Sequence, residues 1–329
     1  MPSIWRAPMS ADASPEPQFP LSHPVVCVVG PTASGKSELA QRIAAAIGGE
    51  VVSADSMQVY RGMDIGTGKL PPKQRIVPHH GLDLVDPGEA YSAALFQAYA
   101  RRCFRQIDAA GGRSVLAGGT GFYVRAAIDD YDFPKGEQVG NEVRDRCNAY
   151  AREHGAQALW NLLRERDPES AALIAPADVK RVVRAFELLD DGTSYAQQHA
   201  RLSSIPQLVP ACFIGLAVDP EILRRRIDDR VDAMVEQGLV EEVQGLLDAG
   251  FREGITAPQA IGYKEIVEAL EGRTTLEEAV GQIKVATHRY AKRQRTWFRK
   301  DKRIRWLDAD SGDMETLQKQ ALAIVEGQE

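Results

Sequence analysis

Residues 30 to 37 carry the clearest chemistry in the sequence, because they match the G-x-x-x-x-G-K-[ST] pattern of a phosphate-binding loop. The eight residues are Gly30, Pro31, Thr32, Ala33, Ser34, Gly35, Lys36 and Ser37. In such a loop the glycines let the backbone curl, so that successive N–H groups converge on an anion. The lysine adds a mobile positive charge, and the hydroxyl after it is a ligand for Mg²⁺. The segment therefore predicts a cradle for a diphosphate and for Mg²⁺.

Asp55 is the next candidate, because it comes directly after a short, largely apolar run that ends at Ala54. Two chemical roles are open for its carboxylate: holding hydrated Mg²⁺, as a Walker-B aspartate does, or acting as a base on an acceptor substrate. A plain turn or capping role is the third alternative. Residues 118–121 (Gly-Gly-Thr-Gly) follow another apolar run without the acid that an ATPase would often place there. That absence argues against ATP hydrolysis.

Two arginines, Arg226 and Arg230, lie four residues apart on a predicted helix and therefore on one of its faces. From that face they are spaced to clamp a phosphate group. Surface ion pairs with Asp228, Asp229 or Glu221 explain them equally well. The sequence alone leaves this choice open.

Basic residues are concentrated in residues 281–306, which hold ten Lys and Arg and a single acidic residue, Asp301. Because the whole chain has a net charge of −6, the remainder carries −15. On a helix, one face of this segment carries Ile283, Ala286, Tyr290 and Trp297, and the opposite face forms a basic stripe of Lys284, His288, Lys292, Arg295 and Arg299. A solvated face usually mixes both signs, so the stripe favours binding of a polyanion. Trp297 is predicted to lie in the core.

Composition excludes several classes of protein. The net charge of −6 argues against a nucleic-acid binder with a basic surface over its whole body. No stretch reaches 18 consecutive apolar residues, so we expect no membrane-spanning segment. The four cysteines lack C-x-x-C spacing, which predicts free thiols in the cytoplasm and no zinc site. Residues 1–23 are rich in proline and predict a disordered extension.

The elements that must position these residues are typical of an α/β fold. Val25–Val29 is a β-branched run that leads directly into the phosphate loop, and apolar residues then recur at helical spacing. Further strands are predicted at 50–54, 82–85, 113–117 and 211–218, and helices at 93–110, with Ser92 as its N-cap, and 220–234. Strands that alternate with helices predict a parallel, doubly wound sheet with ligands at the carboxyl ends of the strands.

Residues 131–203 have no strand pattern and are predicted to form several helices. One of these starts at Asp178, with Val182, Val183, Phe186 and Leu189 on its buried face. The predicted fold is thus a P-loop NTPase-like parallel-sheet core, formed by residues 24–130 and 204–329, with an all-helical insertion domain at 131–203.

Five motifs resemble, in order and spacing, those of the tRNA dimethylallyltransferases, or tRNA isopentenyltransferases. They are residues 30–37, residues 55–67 (DSMQVYRGMDIGT), residues 118–123 (GGTGFY), residues 259–264 (QAIGYK) and residues 287–294 (THRYAKRQ) with Trp297. The resemblance extends from Val25 to about Leu307. The sequence shows no zinc-finger motif of the kind that eukaryotic members carry, so we expect the bacterial form.

The resemblance implies that the phosphate loop does not hydrolyse ATP but holds the diphosphate of dimethylallyl diphosphate. The dimethylallyl group then moves to N6 of the adenine 3′-adjacent to the anticodon in tRNA, and diphosphate leaves. Three catalytic residues are implied: Asp55 orients the adenine and accepts the N6 proton, Thr32 lies near the bridging oxygen, and Arg226 clamps the diphosphate. Arg230 is the alternative for the clamp, and the sequence does not decide between the two arginines. Mg²⁺ is expected to bind through Ser37.

The same resemblance implies contacts with the tRNA anticodon stem-loop. These contacts fall on Asp55, Ser56, Met57, Gln58, Thr120, Arg144, Lys180, Arg181, Val182, Val183, Arg184, Gln259, Ala260, Ile261, Gly262, Tyr263, Lys264, Thr287, His288, Arg289, Tyr290, Ala291, Lys292, Arg293 and Gln294. Residues 131–203 carry ten basic and twelve acidic residues. Contacts made by the insertion are therefore expected to be local, around Lys180, Arg181 and Arg184.

Two other functions remain open at this stage. A small-molecule P-loop kinase would use the same loop and arginines but leaves the basic stripe unexplained. A nucleotide-switched RNA-binding module would use the stripe without transferring a group. We also expect a monomer that does not associate with membranes.

Overall fold

A single sheet of six parallel strands forms the core of a computed structural model that describes residues 19–133, 141–203 and 205–327. The strands are β1 (Val25–Val29), β2 (Gly49–Ser53), β3 (His79–His80), β4 (Arg113–Gly118), β5 (Ala211–Ala217) and β6 (Ile304–Asp308). Their order in the sheet is β3-β2-β4-β1-β5-β6, and every pairing is parallel. All five residues of β1 are buried, as its continuous apolar run predicts.

Helices account for much of the remaining chain. They are α1 (Lys36–Ala46), α2 (Ala93–Ala109), α3 (Gly121–Ile128), α4 (Glu142–His154), α5 (Ala156–Arg166), α6 (Pro168–Leu173), α7 (Val179–Asp190), α8 (Tyr195–Ser203), α9 (Pro220–Glu236), α10 (Leu239–Asp248), α11 (Tyr263–Leu270), α12 (Leu276–Phe298) and α13 (Met314–Glu326). Ser92 caps α2 as predicted, because its Oγ accepts a hydrogen bond from the Leu95 N–H at 3.2 Å. Helix α12 begins at a capping box in which Thr275 and Glu278 exchange hydrogen bonds.

The chain divides into two compact units, Met1–Asp129 with Gln207–Glu329 and Asp130–Pro206. These boundaries lie within a few residues of 131 and 203, where the sequence pattern changes. The first unit holds the whole sheet. The second unit consists of α4 to α8, and its core includes Leu159, Leu163 and Phe186.

The strand predicted at 82–85 is wrong. The edge strand is β3, at His79–His80, and Val85 forms only an isolated bridge with Tyr60. The physical reason is that Gly81 and Asp83 both have left-handed backbone conformations, with φ of 79° and 55°. Such residues cannot continue an extended strand.

The predicted disordered extension is too long. Residues 1–18 lie outside the described part, but Phe19 is buried and the Arg105 guanidinium lies 4.8 Å from the centre of its ring. Ser22 also donates hydrogen bonds to Asp108, from its N–H at 2.8 Å and from its Oγ at 3.2 Å. Residues 19–23 therefore pack on α2.

Other sequence predictions concern membranes and thiols. Within residues 19–133, 141–203 and 205–327, no helix is both long enough and apolar enough to cross a bilayer. All four cysteines are buried free thiols.

The sheet brings its strand ends together tightly beside the phosphate loop. A Cβ on Gly118 would lie 2.1 Å from the carbonyl oxygen of Ala54, the residue that follows β2. Only glycine fits this approach without backbone movement, so it fixes the distance between the end of β4 and Asp55.

We expect Gly118→Ala to lower the free energy of unfolding by about 1–3 kcal/mol, because the added methyl group overpacks the β2–β4 contact. Gly281→Ala is the matched control: Gly281 lies in α12 with open space around its Cα, and alanine should stabilise that helix by about 0.5–1 kcal/mol. Urea unfolding of the two variants measures both changes. Equal stability of the Gly118→Ala variant and the wild type would contradict the close approach.

Candidate active site

The phosphate loop connects β1 to α1, at the carboxyl end of the central strand. Gly35, which precedes α1, has a left-handed φ of 89°. Ser34 is buried, and its Oγ donates a hydrogen bond to the Pro31 carbonyl oxygen at 2.8 Å. The Lys36 Nζ donates to the same carbonyl at 3.2 Å. The loop is thus curled in the form that its glycine spacing predicts, with the lysine folded over it.

A small cavity of about 50 Å³ lies over this loop. Its lining includes Thr32, Lys36 and Ser37 from the loop, together with Asp55 and Arg230. Burial and, to a smaller extent, the Arg230 guanidinium lower the pKa of Lys36 to about 8, whereas Asp55 opposes the shift. Burial also lowers the pKa of Arg230, again opposed by Asp55. Two partly desolvated cations therefore face a space with one carboxylate, which favours a multiply charged anion there.

A larger cavity of about 290 Å³ shares Thr32, Asp55, Thr67 and Arg230 with the smaller one. One part of its wall is apolar, formed by Ile227, Val231, Met234, Ile261 and Ile283. The polar part is formed by Ser56, Gln259, Thr287, Tyr290 and Arg293. Burial raises the pKa of Tyr290 to about 12, so its hydroxyl stays protonated and can donate. An apolar group attached to the bound anion would thus have a separate compartment.

Asp55 stands at the junction of the two cavities. It follows β2, and its Oδ1 accepts a hydrogen bond from the Met57 N–H at 2.9 Å. The Ser56 N–H donates to the Thr120 Oγ1 at 3.1 Å, which ties this segment to residues 118–121. The carboxylate is therefore held at the strand ends, where the sequence placed it.

Arg226, the first choice for the diphosphate clamp, does not line the cradle. Its guanidinium donates hydrogen bonds to the carbonyl oxygens of Ala309 at 3.0 Å and Asp310 at 2.6 Å, in the loop between β6 and α13. Arg230, one turn later, lines both cavities instead. A Cβ on Gly68 would lie 1.9 Å from Arg230 Nη2, so this arginine depends on a glycine to reach its place.

Most of the predicted tRNA contacts in the larger unit surround the 290 Å³ cavity. Those that line it are Asp55, Ser56, Met57, Gln259, Ala260, Ile261, Gly262, Tyr263, Thr287, Tyr290 and Arg293. Lys264, Arg289 and Lys292 are exposed. Thr120 is next to this group, through its hydrogen bond with Ser56.

Four of the predicted tRNA contacts that do not line this cavity are instead buried in the protein. Val182 and Val183 lie in the core of the smaller unit, and Ala291 lies in the core of the larger one. Gln294 is 5% exposed, and its amide bonds to backbone groups. Any stretch of a surface helix has some side chains that face the core. A motif of consecutive residues therefore includes buried positions as well as exposed ones, and the motif alone does not distinguish them.

Gln58 has protein partners at both ends of its amide. Its Oε1 accepts a hydrogen bond from the Ser53 Oγ at 2.9 Å, and its Nε2 donates to the Thr67 carbonyl oxygen at 3.3 Å. This side chain therefore joins the end of β2 to the segment that lines both cavities.

In the smaller unit, several predicted contacts already have acidic partners. Arg144 and Arg184 both pair with the buried Glu187, at 2.6 and 3.0 Å, and Arg181 pairs with Asp178 at 2.7 Å. Burial raises the pKa of Glu187, but Arg144 and Arg184 lower it more, so its net shift is downward. Lys180 is exposed.

The basic stripe on α12 is shorter than predicted. Two of its members face acidic residues of α9: Lys284 lies 2.7 Å from Asp232, and His288 lies 2.8 Å from Asp228. The remaining three, Lys292, Arg295 and Arg299, line a groove of about 480 Å³ together with Arg224 and Arg289. Trp297 is 44% exposed, so its predicted core position is wrong.

Sequence reasoning missed Thr67 and the part of the apolar wall that α9 contributes. Ile227, Val231 and Met234 lie three before, one after and four after Arg230 on α9. Helical spacing from a cationic ligand residue would have identified two of these three. Glu242 was also missed; its carboxylate accepts hydrogen bonds from the Ile65 N–H at 2.7 Å and the Tyr263 hydroxyl at 2.6 Å. No local pattern pointed to that contact.

The residues at the cradle fit Mg²⁺. The Ser37 hydroxyl and the Asp55 carboxylate line the same small cavity, and Mg²⁺ prefers oxygen ligands. Across the described ranges, no group of three or more His, Cys, Asp or Glu side chains is placed to hold a metal ion. The protein thus offers few ligands, which is usual where Mg²⁺ binds mainly through substrate phosphates and water.

Comparison with known families and proteins gives a consistent result. A family model described as IPP transferase matches residues 58–301, and one described as isopentenyl transferase matches residues 23–76. The tRNA dimethylallyltransferase of Carboxydothermus hydrogenoformans is 44% identical over 301 residues, which cover 90% of this chain and 96% of that protein. That of Symbiobacterium thermophilum is 46% identical over 287 residues, covering 87% and 89%.

Solved structures agree. The tRNA isopentenylpyrophosphate transferase of Bacillus halodurans has a TM-score of 0.66 at 38% identity, covering 93% of this chain and 98% of that one. A eukaryotic dimethylallyltransferase acting on tRNA has a TM-score of 0.75 at 28% identity, covering 92% and 78%. With the family model matching more than half of the sequence, the chain belongs to the tRNA dimethylallyltransferase (tRNA isopentenyltransferase) family.

Proposed function

We propose that the protein transfers the dimethylallyl group of dimethylallyl diphosphate to N6 of the adenine 3′-adjacent to the anticodon in tRNA. The observation that carries this proposal is the pair of adjoining cavities that share Thr32, Asp55 and Arg230. One cavity suits a diphosphate, and the other has room for an apolar group and a planar base. Family membership supports allyl transfer over the kinase and over the nucleotide-switched module.

Diphosphate is the leaving group in this reaction. As the bond between the allylic carbon and its oxygen breaks, the carbon gains cationic character and negative charge grows on the departing oxygens. Backbone N–H groups of the loop, Lys36 and Arg230 face that charge. Fixed positive groups stabilise the transition state more than the ground state, because the charge is greater there. Mg²⁺ held through Ser37 would supply further positive charge to the same oxygens.

Asp55 acts on the acceptor. The N6 amine of adenine is a poor nucleophile, since its lone pair is delocalised into the ring. A carboxylate that accepts a hydrogen bond from N6 raises the electron density of the nitrogen. The nitrogen forms a bond to the allylic carbon, the carbon–oxygen bond to diphosphate breaks, and the N6 proton passes to the Asp55 carboxylate.

The adenine must leave the anticodon-loop stack to reach Asp55, at a cost of a few kcal/mol. Ser56, Gln259, Thr287 and Arg293 offer polar groups around the cavity for the extruded base. The groove with Lys292, Arg295 and Arg299 offers positive charge for the RNA backbone. Lys180 and Arg181 are proposed to contact the anticodon stem. That the protein is a monomer in the cytoplasm stays a prediction.

Asp55→Asn should lower kcat by about 10²- to 10⁴-fold, since the amide cannot accept the N6 proton. Binding of dimethylallyl diphosphate, measured without Mg²⁺, should be unchanged or tighter, because a negative charge beside Lys36 and Arg230 is removed. Single-turnover transfer and equilibrium binding measure the two effects. Normal turnover in this variant would remove Asp55 from the role of base.

The affinity for dimethylallyl diphosphate should fall as pH rises above about 8. Below the Lys36 pKa of about 8 the ammonium is charged and attracts the anion; above it the charge must be restored on binding. The dissociation constant should then rise about tenfold per pH unit, as expected for uptake of one proton. Lys36→Arg keeps its charge throughout and is the control. An equal fall in affinity in that variant would assign the titration to another group.

Arg230→Gln should weaken binding of dimethylallyl diphosphate by about 10- to 100-fold, through loss of a charge-assisted contact. Arg226→Gln should leave this affinity within about threefold and act instead on stability, since its partners are Ala309 and Asp310 carbonyls. Calorimetric titration and thermal unfolding separate the two variants. Stronger loss of binding in the Arg226 variant would return that residue to the clamping role.

A further inference from the structure

Gln294 connects three parts of the active site through one buried side chain. Its Oε1 accepts a hydrogen bond from the Thr32 N–H of the phosphate loop at 2.9 Å. Its Nε2 donates to the Gly119 carbonyl oxygen at 2.9 Å. Both partners are far away in sequence, and Gln294 itself lies on α12, whose Thr287, Tyr290 and Arg293 line the large cavity. The side chain is 5% exposed, so it contacts protein and not RNA.

The bond with Thr32 restricts the phosphate loop. A loop of this kind usually directs its backbone N–H groups at the anion, but here the Thr32 N–H points to Gln294. This fixes the orientation of the Thr32 peptide, while the Thr32 residue lines both cavities. A shift of α12 would therefore move the backbone beside the reacting bond.

The bond with Gly119 explains a motif that phosphate chemistry left unassigned. A Cβ on Gly119 would lie 2.2 Å from Gln294 Nε2, and a Cβ on Gly121 would lie 2.1 Å from the Trp297 ring. Between them, the Thr120 Oγ1 accepts the Ser56 N–H, next to Asp55. Residues 118–121 thus pack directly against α12 and also hold the Asp55 segment through the Thr120–Ser56 hydrogen bond.

We propose that Gln294 is a positioning residue, which holds the RNA-facing helix α12, the phosphate loop and the Asp55 segment in one fixed geometry. A primary amide suits this place because it accepts at one end and donates at the other. The inference deepens the proposed function, on which its catalytic part rests. Its effect on the phosphate loop does not depend on RNA.

The main test is Gln294→Met, which keeps the length and burial of the side chain but removes the hydrogen bonds to Thr32 and Gly119. Gln282→Met, at an exposed position of the same helix, is the matched control. We expect Gln294→Met to weaken binding of dimethylallyl diphosphate in the absence of RNA by about tenfold, and to lower kcat by about 10- to 100-fold through misplacement of reacting groups. Binding of an anticodon stem-loop should stay within about twofold of wild type.

Three results would overturn the proposal. Weaker RNA binding with unchanged diphosphate binding would make Gln294 a direct tRNA contact. A lower melting temperature with wild-type binding and kcat at 20 °C would make it a packing residue only. Equal losses in the Gln282→Met control would mean that neither change is specific. If wild-type protein transferred no dimethylallyl group to tRNA, the proposed function would fail, but diphosphate binding by the two variants would still test the effect of Gln294 on the loop.

Gln294→Glu gives a second and independent readout. An ionised carboxylate accepts from the Thr32 N–H but cannot donate to Gly119; once protonated, the carboxyl group has a donor again. Burial beside the Gly119 carbonyl oxygen favours the protonated form, whereas the Tyr290 hydroxyl, which hydrogen-bonds with residue 294, and the Thr32 N–H favour the ionised one. We therefore expect diphosphate binding in this variant, relative to wild type at each pH, to recover as the pH falls from 8 to 5.5. A ratio that is constant over this range would contradict the role of the Gly119 bond.

Discussion

The rest of the site depends on two buried cationic side chains that are largely removed from solvent. Lys36 and Arg230 face one space with Asp55 as their nearby carboxylate, and burial lowers the pKa of both cations. Such a site is costly when empty, and a bound diphosphate removes that cost. In the proposed reaction, the same charges stabilise the leaving diphosphate as its bond to carbon breaks. Binding and catalysis thus draw on one electrostatic feature.

Close backbone approaches hold these charges in place. Gly118 lets β4 approach the end of β2, Gly68 makes room for Arg230, and Gly119 makes room for Gln294. At each of these glycines, a neighbouring polar or charged group occupies the space that a side chain would fill. The glycine-rich turn at residues 118–121 therefore allows other elements to lie near the cradle. This accounts for the missing Walker-B acid at that turn.

Local patterns predicted the parts of the fold that depend on local physics. The β-branched run of β1, the phosphate loop, the Ser92 cap and the position of Asp55 after β2 could all be read from neighbouring residues. The edge strand could not, because Gly81 and Asp83 take left-handed conformations that the apolar residues around them conceal. The choice between Arg226 and Arg230 depended on which lies nearer the phosphate loop, and that distance is set by packing of distant segments. Lys284 and His288 were predicted to be available to a polyanion. The sequence did not reveal their acidic partners, Asp232 and Asp228, because these lie on another helix.

The most direct measurement is the product formed from an anticodon stem-loop and dimethylallyl diphosphate in the presence of Mg²⁺, without ATP. We expect nuclease digestion and mass spectrometry to find one dimethylallyl group on the adenine 3′-adjacent to the anticodon, with one equivalent of diphosphate released. A stem-loop with guanine at that position should remain unmodified. Transfer to free AMP with unmodified RNA, or a requirement for ATP hydrolysis, would contradict the central claim.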